Sequence, residues 1–285
     1  MRFGERPGRL VIQANCQGEL LLRLLRASPG FDEAWRAELY TNYRRQPVPD
    51  ESLARCDLFL YQHLGPEWGE LSSAALLDKL PRSARAECIP AMFFMHPWPL
   101  WCSDPDFDYS DRLLDALLAR GLSPAEALHM ALRTDIAKLA DLDEGPARSL
   151  EMEREKEERT SIKYLDFVLA NWREEQLFRT INHPRSRVLR LVAEPVLGWL
   201  GLPPLPDSAY NAADQALAGL DLPVHPQVAE REKLAWAGRE TRFNVYGAPM
   251  TYERFAFHYL ACKEAGETDF DAWLRVAARR ETASQ

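Results

Sequence analysis

Glycine is scarce in this chain, 14 of 285 residues, and neither GxGxxG nor a GxxxxGKS-type run occurs. That excludes the usual glycine-rich loops that cradle nucleotide phosphates. There is no HExxH, no acidic calcium loop and no histidine pair four residues apart, so no metal is expected. The five cysteines are odd in number and lack CxxC or CxxH spacing, which argues against a disulfide framework and a structural zinc site. A GxSxG elbow is missing, which sets aside an ordinary α/β-hydrolase serine. No apolar run approaches the ~18 residues of a membrane-spanning helix. Residues 1–9 are polar and carry no signal-peptide core. Basic charge is in deficit, 35 Lys+Arg against 43 Asp+Glu for a formal net charge of −8. Nucleic acid is therefore not an expected partner, and an anionic ligand needs a local basic pocket. These absences together describe a reduced, cytoplasmic, globular protein.

What is present changes in texture along the chain. Arg9–Ala14 (RLVIQA) is a compact β-type run that stops at Asn15-Cys16-Gln17-Gly18, and Glu19–Ala27 then carries leucines at helical spacing. Further strands are expected at Trp35–Tyr40, Cys56–Tyr61 and Ile89–Met95, the last two followed by Gln62-His63 and His96-Pro97. Strand and helix alternating in this way predict an α/β fold, a Rossmann-like or flavodoxin-like parallel-sheet half over 1–107. From about Tyr109 the pattern is helical, so 108–285 is expected to be a mainly α-helical remainder. Helices are predicted at Asp111–Arg120, Pro124–Leu142, Ser149–Phe178 and Pro184–Leu200, with Pro184 in a first turn. Gly201–Asp207 (GLPPLPD) reads as a rigid linker, and short helices follow at Val224–Trp236, Thr251–Lys263 and Asp269–Arg279.

Several strands end in polar, reactive residues, and open α/β sheets bind ligands beyond the carboxyl ends of their strands. Cys16 lies between a strand and a helix start, where the helix dipole and unpaired N–H groups lower a thiol's pKa. It is either a nucleophile or a small buried hydrophobe. His183, in Phe178–Arg187 (FRTINHPRSR), is either a proton acceptor held neutral at a helix start or a capping residue. His96 is a rival base. Arg44 and Arg45 after the second strand, and Arg185 and Arg187 beside Asn182-His183-Pro184, are positioned either to grip phosphate or simply to solvate the surface.

In combination these segments resemble the WcbI family of polysaccharide-biosynthesis proteins. The resemblance rests on the strand–Asn15-Cys16-Gln17-Gly18–helix start, Cys56–Gln62 (CDLFLYQ), Phe93–Pro97 and Leu177–Pro184 (LFRTINHP). It continues through Arg187–Leu202 and the Thr251–Tyr259 helix. The family usually has Gly where this chain has Ala14. The resemblance implies a CoA-dependent O-acyltransferase that places an acetyl group from acetyl-CoA, as substrate, on a sugar of a capsule or other surface polysaccharide. It implies Cys16 and His183 as catalytic residues, and a peripheral association with glycan assembly machinery. Asn15, Gln17, Gly18, Gln62, Arg44, Arg45, His96, Asn182 and Arg185 are the expected binding residues. Two routes stay open, a covalent acyl-Cys16 or direct attack of a sugar hydroxyl deprotonated by His183. The same residues would also suit a thioesterase or carbohydrate esterase, or a CoA- or glycan-binding module without catalysis.

Overall fold

The computed structural model describes residues 6–216 and 219–283. Four strands, β1 (Gly8–Ala14), β2 (Trp35–Thr41), β3 (Leu58–Tyr61) and β4 (Arg85–Cys88), form one sheet in the order β2-β1-β3-β4, and every pair is parallel. β1 has the sequence of a central strand, and Leu10, Val11, Ile12, Gln13 and Ala14 are all buried. Burial on both faces is what parallel strands require, because covering elements lie above and below. On one face Val11 and Phe59 pack with Val48, Leu53 and Leu76. On the other, helix α1 (Gln17–Arg26) lays Leu20, Leu21, Leu24 and Leu25 into the core. Gly18 permits that approach, because a Cβ there would lie 2.7 Å from the Ala14 Cβ and 2.9 Å from Leu39 Cδ1. The α/β reading therefore stands: a parallel sheet in the N-terminal part with a mostly helical remainder.

Some expected elements end elsewhere. Ile89–Met95 is not a strand. The Ile89 N–H still donates to the Tyr61 carbonyl (2.8 Å), but Pro90 has no N–H with which to continue the ladder. The long helix expected over Ser149–Phe178 is two, Glu144–Glu158 and Leu165–Asn171, followed by an extended Phe178–Thr180. Between them the Thr160 hydroxyl donates to the Ile162 carbonyl (2.6 Å), and Glu157 Oε1 accepts from the Tyr164 and Leu165 N–H groups (2.6 and 2.8 Å). The helix expected from Pro184 begins at Ser186 and runs to Leu200, while His183 and Pro184 are extended. A further helix, Asp207–Ala216, follows the linker and buries Tyr210 and Ala213.

The contacts gather into two compact units. One holds the described residues up to Met92 together with Met152–Leu169 and His183–Ala216. It contains the sheet and α1, and the helix Ser186–Leu200 packs against α1. The Trp35 indole N–H donates to the Leu200 carbonyl (3.1 Å) and anchors that helix's end. The other unit holds Phe93–Glu151, Ala170–Asn182 and the described residues after Ala216. It is mostly helical, with well-signalled starts. Asp111 accepts from the Leu113 and Leu114 N–H groups at the head of Arg112–Ala119, and Ser123 with Glu126 closes a capping box at the head of Pro124–Arg133. Within it a buried pair, Arg179 Nη1 to Asp221 Oδ1, spans 2.6 Å. Among the described residues no helix is long and apolar enough to cross a membrane.

Candidate functional site

The strand order β2-β1-β3-β4 reverses direction between β1 and β3, and such a switch point opens a crevice at the carboxyl edge. Asn15 and Cys16 follow β1 there, and Gln62 follows β3. Three amide side chains tie the edge together. Gln62 Oε1 accepts from the Asn15 N–H (2.7 Å), and Gln62 Nε2 reaches the Pro90 carbonyl (3.2 Å) and Asn15 Oδ1 (3.3 Å). Gln17 donates from Nε2 to the Met92 carbonyl (2.7 Å) and accepts the Met92 N–H on Oε1 (3.0 Å). Gln62 and Gln17 are both buried. Their amides thus brace the end of the sheet against the 90–92 segment. Asn42, which follows β2, joins through Nδ2 to Gln62 Oε1 (3.5 Å). It was not among the residues singled out by sequence, although its place directly after a strand repeats that of Asn15 and Gln62.

Cys16 is half-buried on this braced edge, and its Sγ lies 3.6 Å from His183 Nε2. A residue 167 positions away reaches it because the chain after His183 enters Ser186–Leu200, which packs on α1. The thiol is not the low-pKa group that its place before a helix suggested. Burial raises its pKa above the ordinary thiol value, and the Glu19 carboxylate adds to the rise. The backbone N–H groups of Cys16 and Gln17 face the sulfur and oppose that rise, with the smaller effect. The helix start is also shared with other acceptors. Asn15 Oδ1 takes the Gln17 N–H (2.9 Å), the Asn15 carbonyl takes that of Gly18 (2.9 Å), and the Cys16 carbonyl takes that of Glu19 (3.3 Å). Cys16 therefore rests as a thiol, 3.6 Å from the His183 ring.

The other residues singled out by sequence have definite places. Gly18 packs against Ala14, whose methyl is buried toward α1. Arg44 and Arg45 are exposed after β2, Arg44 over the Tyr43 ring and Arg45 4.8 Å from the centroid of Trp68. Arg185 precedes the Ser186 helix and pairs with Asp214 (3.5 Å). His96 and Asn182 belong to the other unit. His96 stacks on Phe94 (4.7 Å, 8°) and lies edge-on to Trp172 (5.4 Å), and burial lowers its pKa. Asn182 Oδ1 accepts from the Thr180 hydroxyl (3.1 Å).

Fold and site thus describe an α/β protein with a sulfur–imidazole pair at the switch point of a parallel sheet. A family model described as the polysaccharide biosynthesis enzyme WcbI matches residues 9–205, more than half of the chain and both members of that pair, and the chain belongs to this family. A solved structure of WcbI, described as a novel polysaccharide biosynthesis enzyme in its native form without a disulfide bond between CoA and a cysteine, is similar in fold. The TM-score is 0.70 at 19% identity, over 97% of this chain and 99% of that one. No curated protein matches.

Proposed function

We propose that this protein is an acyltransferase that takes an acetyl group from a CoA thioester and places it on a hydroxyl of a surface-polysaccharide sugar. The observation that carries the reading is the 3.6 Å approach of Cys16 Sγ to His183 Nε2. A thiol kept protonated by burial needs a base at the moment of attack, and the imidazole is within reach to act as one. Family membership supports the polysaccharide context, and CoA is named with the similar solved structure.

In the covalent route His183 Nε2 accepts the thiol proton as the sulfur attacks the thioester carbonyl. The backbone N–H of Cys16 faces the sulfur and is the nearest candidate to meet the developing oxyanion, a term worth about 3 kcal/mol per donor. Collapse expels CoA as a thiolate that takes the proton back from His183, leaving an acyl thioester on Cys16. His183 then deprotonates a sugar hydroxyl, which attacks that thioester and restores the thiol. Exchange of one thioester for another is nearly isoenergetic, so the first half costs little.

The test is release of free CoA from acetyl-CoA, with and without a polysaccharide-derived acceptor. Release that depends on acceptor and falls by ~10²-fold or more in Cys16→Ala and His183→Gln supports transfer. Release at the same rate without acceptor identifies a hydrolase instead. Wild-type rates in both variants remove the pair from catalysis.

A further inference from the structure

A second feature of the same sheet edge has no part in the chemistry above. Beyond the carboxyl ends of β3 and β4 a cleft of about 380 Å³ opens, lined by His63, Glu67, Trp68, Lys156 and Arg159 among others. That volume lies in the range of small-molecule sites. The walls are fixed by hydrogen bonds. The Leu64 N–H donates to Ser73 Oγ (2.9 Å) and the Ser73 N–H to the Leu64 carbonyl (3.0 Å), which pins the loop carrying His63 and Trp68. On the far wall the Thr160 N–H donates to the Glu157 carbonyl (3.1 Å) and sets the turn that carries Arg159.

Charge in the cleft runs against that of the molecule. Arg159 is exposed and makes no ion pair among the described residues. Lys156 reaches the buried Glu153 (2.5 Å) with its side chain still 47% exposed. The Arg45 guanidinium sits 4.8 Å over the ring of Trp68, which lines the cleft. On a chain of net charge −8, two cations lining one cleft, with a third against the Trp68 ring, are an anion-attracting feature. Arginine prefers phosphate because its planar fork can donate two parallel N–H bonds. One carboxylate also faces the cleft, that of Glu67, folded back over Gly65. A lone carboxylate beside the cations would repel a bare anion, but it accepts well from ring hydroxyls.

We infer that this cleft is a sugar-phosphate subsite, in which Arg159 and Lys156 hold a phosphoryl group, Glu67 accepts from ring hydroxyls and Trp68 walls the ring. The chemistry fits either the phosphorylated ribose end of the acyl donor or a phosphate-linked acceptor sugar. Naming those two sources rests on the acyl-transfer reading, while the binding itself does not.

The experiment is titration calorimetry of the full chain with adenosine 3′,5′-bisphosphate and, separately, with a hexose 1-phosphate. The wild-type protein binds at least one probe, and Arg159→Glu weakens that binding about tenfold or more with an unchanged melting temperature. Arg159→Gln, which removes the charge without reversing it, gives a smaller loss of the same sign. Binding of the bisphosphate identifies the donor's nucleotide end, and binding of the hexose phosphate alone identifies the acceptor. The inference is overturned if neither probe binds, or if both Arg159 variants bind as the wild type does. The same titrations in Cys16→Ala separate the two proposals, since retained binding with no acyl transfer from the wild type would sink only the catalytic one.

Discussion

At Cys16 two local effects compete, and burial outweighs the Cys16 and Gln17 N–H groups that face the sulfur. Alkylation with iodoacetamide should therefore accelerate up to and beyond pH ~9, above the range of an ordinary free thiol. A rate that levels off near neutrality would mean a resident thiolate. Two residues to either side, Ala14 and Gly18 face each other across the β1–α1 junction, so Gly18→Ala should cost about 1–3 kcal/mol by overpacking. Ala14→Gly in the same chain removes the 2.7 Å clash and should restore part of that loss, leaving the contact with Leu39, whose flexible end can shift. A denaturant double-mutant cycle measures the coupling. Ala14 and Gly18 are thus a packing pair, whatever ligand approaches the turn that follows.

Among the elements, the sheet edge is held by amides whose polar atoms are out of reach of water. Gln62 serves both the Asn15 N–H and the Pro90 carbonyl from a buried position, so Gln62→Leu should cost about 2–4 kcal/mol by leaving those groups unpaired. Urea unfolding of the variant checks this. In the helical unit His225 caps Pro226–Glu232 through Nδ1 and donates from Nε2 to the Ala131 carbonyl. Burial pushes its pKa down to about 4. Its contribution to stability is present above the ordinary value near 6.5 and is lost as pH falls toward 4, about 3 kcal/mol in all. Asp111 runs the other way, pushed up to about 6 by burial, so its protonation on acidification favours the folded state. The two offset each other over much of the same window. His225→Asn should remove one side, so the stability difference between variant and wild type shrinks as pH falls from about 7 to 4.5. A difference that stays constant would show that His225 is not buried neutral.

Over the whole molecule, what could be read from the chain was what local chemistry determines. The run Arg9–Ala14 followed by Asn15-Cys16 marked a strand end, a turn and a helix start, since apolar β-type residues stop where amides begin. Apolar residues three and four apart likewise marked helices at Asp111–Arg120 and from Pro124. His183 was different. No spacing rule joins positions 167 apart, and the pairing follows from Ser186–Leu200 folding back on α1, a packing event with no local signature. Residues 152–169 likewise return to the sheet's unit from far along the chain, which is how Lys156 and Arg159 reach an edge defined before residue 92. A charge-rich helix looks like a solvated face in sequence, and only the fold brings Lys156 and, just past the helix end, Arg159 to the cleft that Trp68 also lines.

Mass spectrometry of the intact protein, quenched within milliseconds of mixing with acetyl-CoA in the absence of acceptor, tests the acyl-Cys16 intermediate most directly. One acetyl group per chain is expected, mapped to the peptide containing Cys16, formed at least ~10²-fold more slowly in His183→Gln and never in Cys16→Ala. Transfer to a sugar at the wild-type rate by the Cys16→Ala protein, with no acyl adduct on the parent enzyme, would contradict it.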